Sequence, residues 1–148
     1  MNTKSYAKLF ERDIDKLHSE ISQFDSEEDL WVMAGDVRNT AGNLALHLCG
    51  NLKHFVGKAL GNSGYERRRE KEFSLKNVPK SEILKEIDET KSIVLPTLNK
   101  LDESKLREIF TEKLSFGEVE TEFILVHLLT HLNYHLGQIN YIRRLMIK

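Results

Sequence analysis

Residues 126–145 read VHLLTHLNYHLGQINYIRRL. Proline is absent, and apolar residues recur at helical intervals around the stretch, at Ile124, Leu128, Leu132, Ile139, Ile142 and Met146. His127, His131 and His135 follow one another at i and i+4, so their rings fall along one side of that helix. His131 and His135 stand inside or beside the apolar stripe, where leucine would be cheapest. A buried imidazole loses free energy unless its nitrogens find partners. The two Cβ atoms of an i, i+4 pair lie about 6 Å apart, within reach of one metal ion. The helical zinc-peptidase pattern needs a glutamate directly after the first histidine, and Leu132 stands there, so that chemistry is excluded.

The rest of the chain reads as helices that pack against this one. Glycine and proline are sparse, at 8 and 2 residues. SYAKLFERDIDKLHSEISQF, with Phe24 at its end, puts Tyr6, Leu9, Phe10, Ile14, Leu17, Ile21 and Phe24 on one stripe, a first helix. DSEEDLWVMAGDVRN is a connection, with Trp31, Val32 and Met33 expected against the bundle. TAGNLALHLCGNLKHFVGKAL is a second helix, running to about Leu60 before GNSG ends it. Residues 61–79 mix Gly, Asn, Ser and charge and read as a long loop, a solvated segment or a lid. KSEILKEIDETKSIVLPTLNKL is a third helix, with Pro96 expected to kink or end it. REIFTEKLSFG reads as a short extended excursion, and a fourth helix runs from about Glu118 to Ile147. These elements predict an all-α, four-helix bundle in one domain, residues 1–148.

Two histidines rarely suffice for a metal, so a third ligand must come from another helix. The second helix offers His47 and His54, about 10.5 Å apart along the axis and unable to share an ion. His47 shares a face with Asn43 and Asn51 on a helix otherwise rich in leucine and alanine. That polar stripe reads as one wall of a wet pocket. His18 lies among charges and His54 follows a lysine near the helix end, so both read as structural. Spacing alone leaves open whether the pair on the last helix is 127/131 or 131/135.

Bulk composition excludes other classes. Lys plus Arg is 22 against 23 for Asp plus Glu in 148 residues, a net charge of −1. That balance carries no electrostatic footprint for nucleic acid or an anionic membrane. ERRREKE looks basic, but its glutamates offset most of its positive charge. Cys49 is the sole cysteine, so no internal disulfide forms, which fits a reducing cytoplasm. The first residues lack the apolar core of a secretion signal, and no apolar run reaches membrane-spanning length.

HLLTHLNYHLGQINYIRR resembles the last-helix signature of the DinB-like superfamily, in which His, three residues and His are followed closely by Gly-Gln. AGNLALHLCGNLKHFVG resembles the metal-binding second helix of those proteins, and GNSGYERRREKEF the loop of one of its branches. The resemblance spans almost the whole chain. It implies a four-helix bundle, frequently a homodimer, with a divalent metal held by His47, His131 and His135. His127 then lines the pocket or supports a ligand one turn earlier. Many members carry arginine just before the Gly-Gln, where this chain has Leu136, a departure that bears on substrate contact and not on the metal.

Three neutral imidazoles leave an ion's charge uncompensated and coordination positions open, as in catalytic zinc sites. Zn, Ni, Fe or Cu suit such a donor set. Neither ligand-bearing face carries Asp or Glu near the histidines, which disfavours a 2-His-1-carboxylate iron oxygenase. The resemblance implies a small-molecule substrate, a low-molecular-weight thiol being the expected one in an S-transfer reaction. A non-catalytic metal- or ligand-binding bundle with a stress-response role is the alternative. Asn51, Tyr134 and Gln138 are candidates to orient a ligand. Arg143 and Arg144 complement the negative end of the last helix. Cys49 lies about 200° round the helix from His47 and points away from the pocket.

Overall fold

The computed structural model describes residues 1–147. Four long helices form the frame: α1 (Thr3–Ser22), α2 (Ala41–Leu52), α4 (Lys80–Lys100) and α5 (Thr121–Leu145). A short helix, α3 (Arg69–Ser74), lies between α2 and α4. α1 packs on α4 and α5, and α2 on α4 and α5, so each helix has two lateral neighbours. Such closure suits helices whose apolar faces are wider than one contact.

Side chains set the helix starts. Asn2 caps α1 by accepting from Ser5 N at 2.8 Å, and Thr40 caps α2 by accepting from Asn43 N at 3.0 Å. The α1 stripe is buried as its spacing requires, with Phe10, Ile14, Leu17, Ile21 and Phe24 each no more than 2% exposed. It meets Ile83, Ile87, Val94 and Leu98 of α4 and Ile124, Leu128, Leu132 and Ile139 of α5 in one apolar cluster. Asp13 is also fully buried there, held by Arg12 Nε at 2.8 Å and Asn133 Nδ2 at 2.6 Å. A buried carboxylate survives only when its lone pairs are met in this way.

Several boundaries differ from the sequence reading. The second helix changes pitch after Leu52: residues Lys53–Lys58 form a π segment, with Ala59 N bonding His54 O at 3.0 Å and Gly61 N bonding Val56 O at 3.1 Å. α4 continues past Pro96 to Lys100. Pro96 and Ser92 are both exposed, so the carbonyl freed by the missing N–H faces water. Trp31 packs against Gly42, where a Cβ would lie 2.7 Å from its ring, but Val32 and Met33 are exposed. The excursion over 107–117 is reduced to two isolated antiparallel bridges, Ile109 with Glu120 and Leu114 with Gly117. The segment 61–79 is not simply a loop, because it contains α3. Among the described residues no helix is long and apolar enough to cross a membrane.

The burial pattern sets an expected energetic contrast. Phe10→Ala should lower unfolding free energy by about 3–5 kcal/mol, the cost of emptying a closed core site. Val126→Ala, on the exposed face of α5, should change it by no more than about 0.5 kcal/mol. Chemical denaturation followed by circular dichroism checks both.

Candidate metal centre

α2 and α5 run side by side, and each brings histidine to the seam between them. His47 is 6% exposed, while His131 and His135 are half-buried at the edge of the α5 stripe. Leu132, not His131, occupies the centre of that stripe. One ring nitrogen from each of His47, His131 and His135 lies within 4.8 Å of the other two. His47 Nε2 and His131 Nε2 are 3.1 Å apart. Two nitrogens on a tetrahedral ion at an ordinary Zn–N distance would be about 3.3 Å apart, so the spacing fits a shared cation. Of the two pairs left open by the sequence, 131/135 is the one grouped with His47.

The opposite ring nitrogens determine which atoms face inward. His47 Nδ1 donates to Glu72 Oε1 at 3.0 Å, and His135 Nδ1 donates to Gln138 Oε1 at 2.6 Å. A ring whose Nδ1 carries the proton presents a bare Nε2, the form a metal needs. His131 Nδ1 is buried without a partner. With His47 Nε2 bare, the metal-free contact needs the proton on His131 Nε2, and an ion would take the place of that proton. The geometry and donor chemistry therefore fit a divalent metal.

Glu72 was not visible in the sequence as a site residue. It comes from α3, not from either ligand-bearing helix, and it is buried. Arg67 grips both carboxylate oxygens at 2.9 Å, through Nη2 to Oε1 and Nε to Oε2. Burial by itself would raise the Glu72 carboxyl, but the bonds from His47 and Arg67 outweigh it and hold it below the ordinary value. Phe73, the next residue, lies 4.8 Å from the His47 ring.

The remaining sequence candidates fall around this centre in different ways. Asn51 is buried and its Oδ1 has no partner. Asn43 is not part of a wet wall: its Nδ2 donates to Glu72 O at 3.0 Å and Leu75 O at 2.8 Å, tying α3 down. Gln138 touches His135 and also lines a cleft of about 510 Å³ with Val37, Leu44, Tyr141, Ile142 and Leu145. Tyr134 is 66% exposed and flanks His135 from outside, with ring centroids 5.3 Å apart. His127 is exposed, stacked at 6.4 Å on His131 and 5.2 Å from Phe116. Leu136 is buried beside α1 and does not face the histidines. Arg143 bonds Glu20 at 2.7 Å, so an ion pair adds to its place at the helix end. His54 bonds Glu112 at 2.9 Å, apart from the cluster. Cys49 is buried, and burial pushes its thiol up to about 12 despite a hydrogen bond with Thr90.

Comparison with known proteins agrees with this architecture. The model of one family, described as protein of unknown function (DUF1572), matches residues 2–148. A DinB-like protein from Bacillus cereus ATCC 10987 has a similar crystal structure, with a TM-score of 0.76 and 16% identity over 96% of this chain and 91% of that one. At that identity the likeness concerns the fold. None of the curated proteins matches the chain.

The buried cluster predicts that protein stripped of metal loses stability in acid. Burial, reinforced by the neighbouring His135 and His47, holds His131 down to about 4. Unfolding returns it to the ordinary range near 6.5, so the unfolded chain binds the extra proton between those values. Stability of chelator-treated protein should therefore fall as pH drops from about 6.5 toward 4, with a shallower fall in His131→Ala. Thermal unfolding across that range measures it.

Proposed function

The chain belongs to the DUF1572 family, a DinB-like family, and from that premise we propose that it is a metal-dependent enzyme in which His47, His131 and His135 hold one divalent ion. The observation that carries this reading is the convergence of the three ring nitrogens. Zn, Ni or Fe suits the imidazole set. When bound, such an ion supplies Lewis acidity that favours the deprotonated form of a thiol or water. The reaction class we propose is thiol-dependent S-conjugation: the sulfur of a low-molecular-weight thiol gives up its proton and bonds to the electrophilic atom of a small substrate, whose leaving group departs.

The chain's own residues have supporting roles in that chemistry. Glu72 and Gln138 keep the protons of His47 and His135 on Nδ1. The cleft bordered by Gln138 offers an apolar wall for the part of a substrate that does not react. No protein nucleophile is required. Cys49 is buried and its thiol is held protonated, so it packs as a small hydrophobe.

A second reading, a metal- or ligand-binding bundle without turnover and with a stress-response role, is favoured by one observation. The carboxylate that reaches the cluster, Glu72, is engaged by Arg67 and His47 and is not free to serve as a base. We also propose a homodimer in the cytoplasm. Phe123, Val126, Tyr134, Tyr141 and Leu145 lie on one arc of α5, all exposed, and could cover a second copy.

Elemental analysis of protein purified without a histidine tag should find about one divalent ion per chain. His131→Ala should abolish metal binding, while His54→Ala should leave it intact, and equal loss in both would refute the ligand assignment. Metal-loaded protein assayed with a panel of cellular thiols and electrophiles should consume thiol in a metal-dependent way. Metal bound with no turnover on any pair would favour the second reading. Cys49→Ala should keep its metal and most of any rate.

A further inference from the structure

We propose that Glu72 is a positioning residue for His47, and that docking of segment 61–79 is thermodynamically coupled to metal binding through it; this deepens the metal-site reading above and rests on it. α3 is otherwise exposed or half-buried, and its one buried residue is a glutamate. Hydrophobic docking would bury Phe73 or Leu75 instead, but Phe73 is half-buried and Leu75 is 42% exposed. The segment is thus seated on a carboxylate. A buried charge stays there only if its partners are in place.

Three features build that seat. Gly50 leaves the space: a Cβ at position 50 would overlap the Glu72 carboxylate. Arg67 clamps both oxygens, which fixes the direction of the carboxylate plane. Asn43 holds the carbonyls of Glu72 and Leu75, and its own Oδ1 accepts from Lys76 Nζ at 2.7 Å, closing α3 onto α2. The chain turns sharply at both ends of the segment, with Asn62 at φ 50, Gly64 at φ 76 and Asn77 at φ 57. This construction brings one carboxylate to the centre, Glu72 Oε1 at 3.0 Å from His47 Nδ1, with Arg67 Nη2 3.4 Å from the same nitrogen and the Phe73 ring 4.8 Å from the His47 ring.

That contact locks the His47 ring angle and leaves Nε2 toward His131. Removing it frees the ring to rotate and to carry its proton on the nitrogen that the metal needs. Coupling of this kind is reciprocal: if the docked segment strengthens metal binding, the metal strengthens docking by the same factor.

Calorimetric titration of zinc into metal-free full-length protein tests the proposal. Glu72→Ala should weaken zinc binding by about 10- to 100-fold, the usual range for such supporting groups. Glu72→Gln should fall between Glu72→Ala and wild type, since its carbonyl still accepts from Nδ1. Gly50→Ala should weaken zinc by a similar factor with every ligand and Glu72 itself retained. Hydrogen exchange across residues 61–79 should slow on adding zinc to wild type and stay unchanged in Glu72→Ala. Zinc bound equally by wild type, Glu72→Gln and Gly50→Ala would overturn this proposal and leave the metal site standing. Exchange in 61–79 indifferent to zinc in wild type would overturn the coupling. A wild type that binds no divalent ion would remove the metal reading and this inference with it.

Discussion

Imidazole has two nitrogens that face opposite ways, and a buried ring loses free energy for each one left without a partner. His47 is where this constraint is strictest, because it is the most buried of the three histidines at the seam. Its Nε2 faces His131 and its Nδ1 faces away from the seam, toward the outer side of α2. An acceptor has to reach that outer side, and here it is the Glu72 carboxylate. Gly50, Arg67, Asn43 and the short helix α3 are all consequences of bringing one carboxylate there. The otherwise odd burial of a glutamate in a seven-residue charged run follows from the needs of a ring 25 positions earlier.

What was legible in the sequence divides along the same line. Periodicity is local, so the four long helices, the α1 stripe and the i, i+4 placement of His131 and His135 could be read directly. The partnership of α2 with α5 needed the further step that a polar residue on an apolar helix must have a reason. Glu72 had no such signal. ERRREKE carries charge at every position and no apolar period, so nothing marks which charge is buried. Asn43 was misleading for a related reason: an asparagine on a leucine-rich face suggests water, whereas here its amide bonds two carbonyls of α3. The π segment after Leu52 is equally silent, since it changes hydrogen-bond register without changing composition.

Charge is arranged so that the histidine cluster receives little net field from its supports. Glu72 is matched by Arg67, and on another side of α2 the buried Lys53 bonds Glu86 at 2.6 Å. Each pair sums to nearly zero, the condition for burying Glu72 and Lys53. Three neutral imidazoles with a neutralised carboxylate behind them would leave a divalent ion strongly electrophilic. A second carboxylate in direct contact would have damped that charge.

The bundle does not depend on the centre for its existence. Phe10, Ile14, Leu48, Ile87, Leu128, Leu132 and Ile139 close the core beside the histidines, and none of them contributes a ligand. In small zinc-stabilised domains the free energy of metal binding is consumed in folding the chain. Here hydrophobic burial already folds it, with the histidines held near ligand spacing by packed helices. On the proposed metal reading, binding energy would then be available to hold an ion with three protein ligands. That places the cost of the site in a local feature, the buried His131 Nδ1 left without a partner, which a stable core can tolerate.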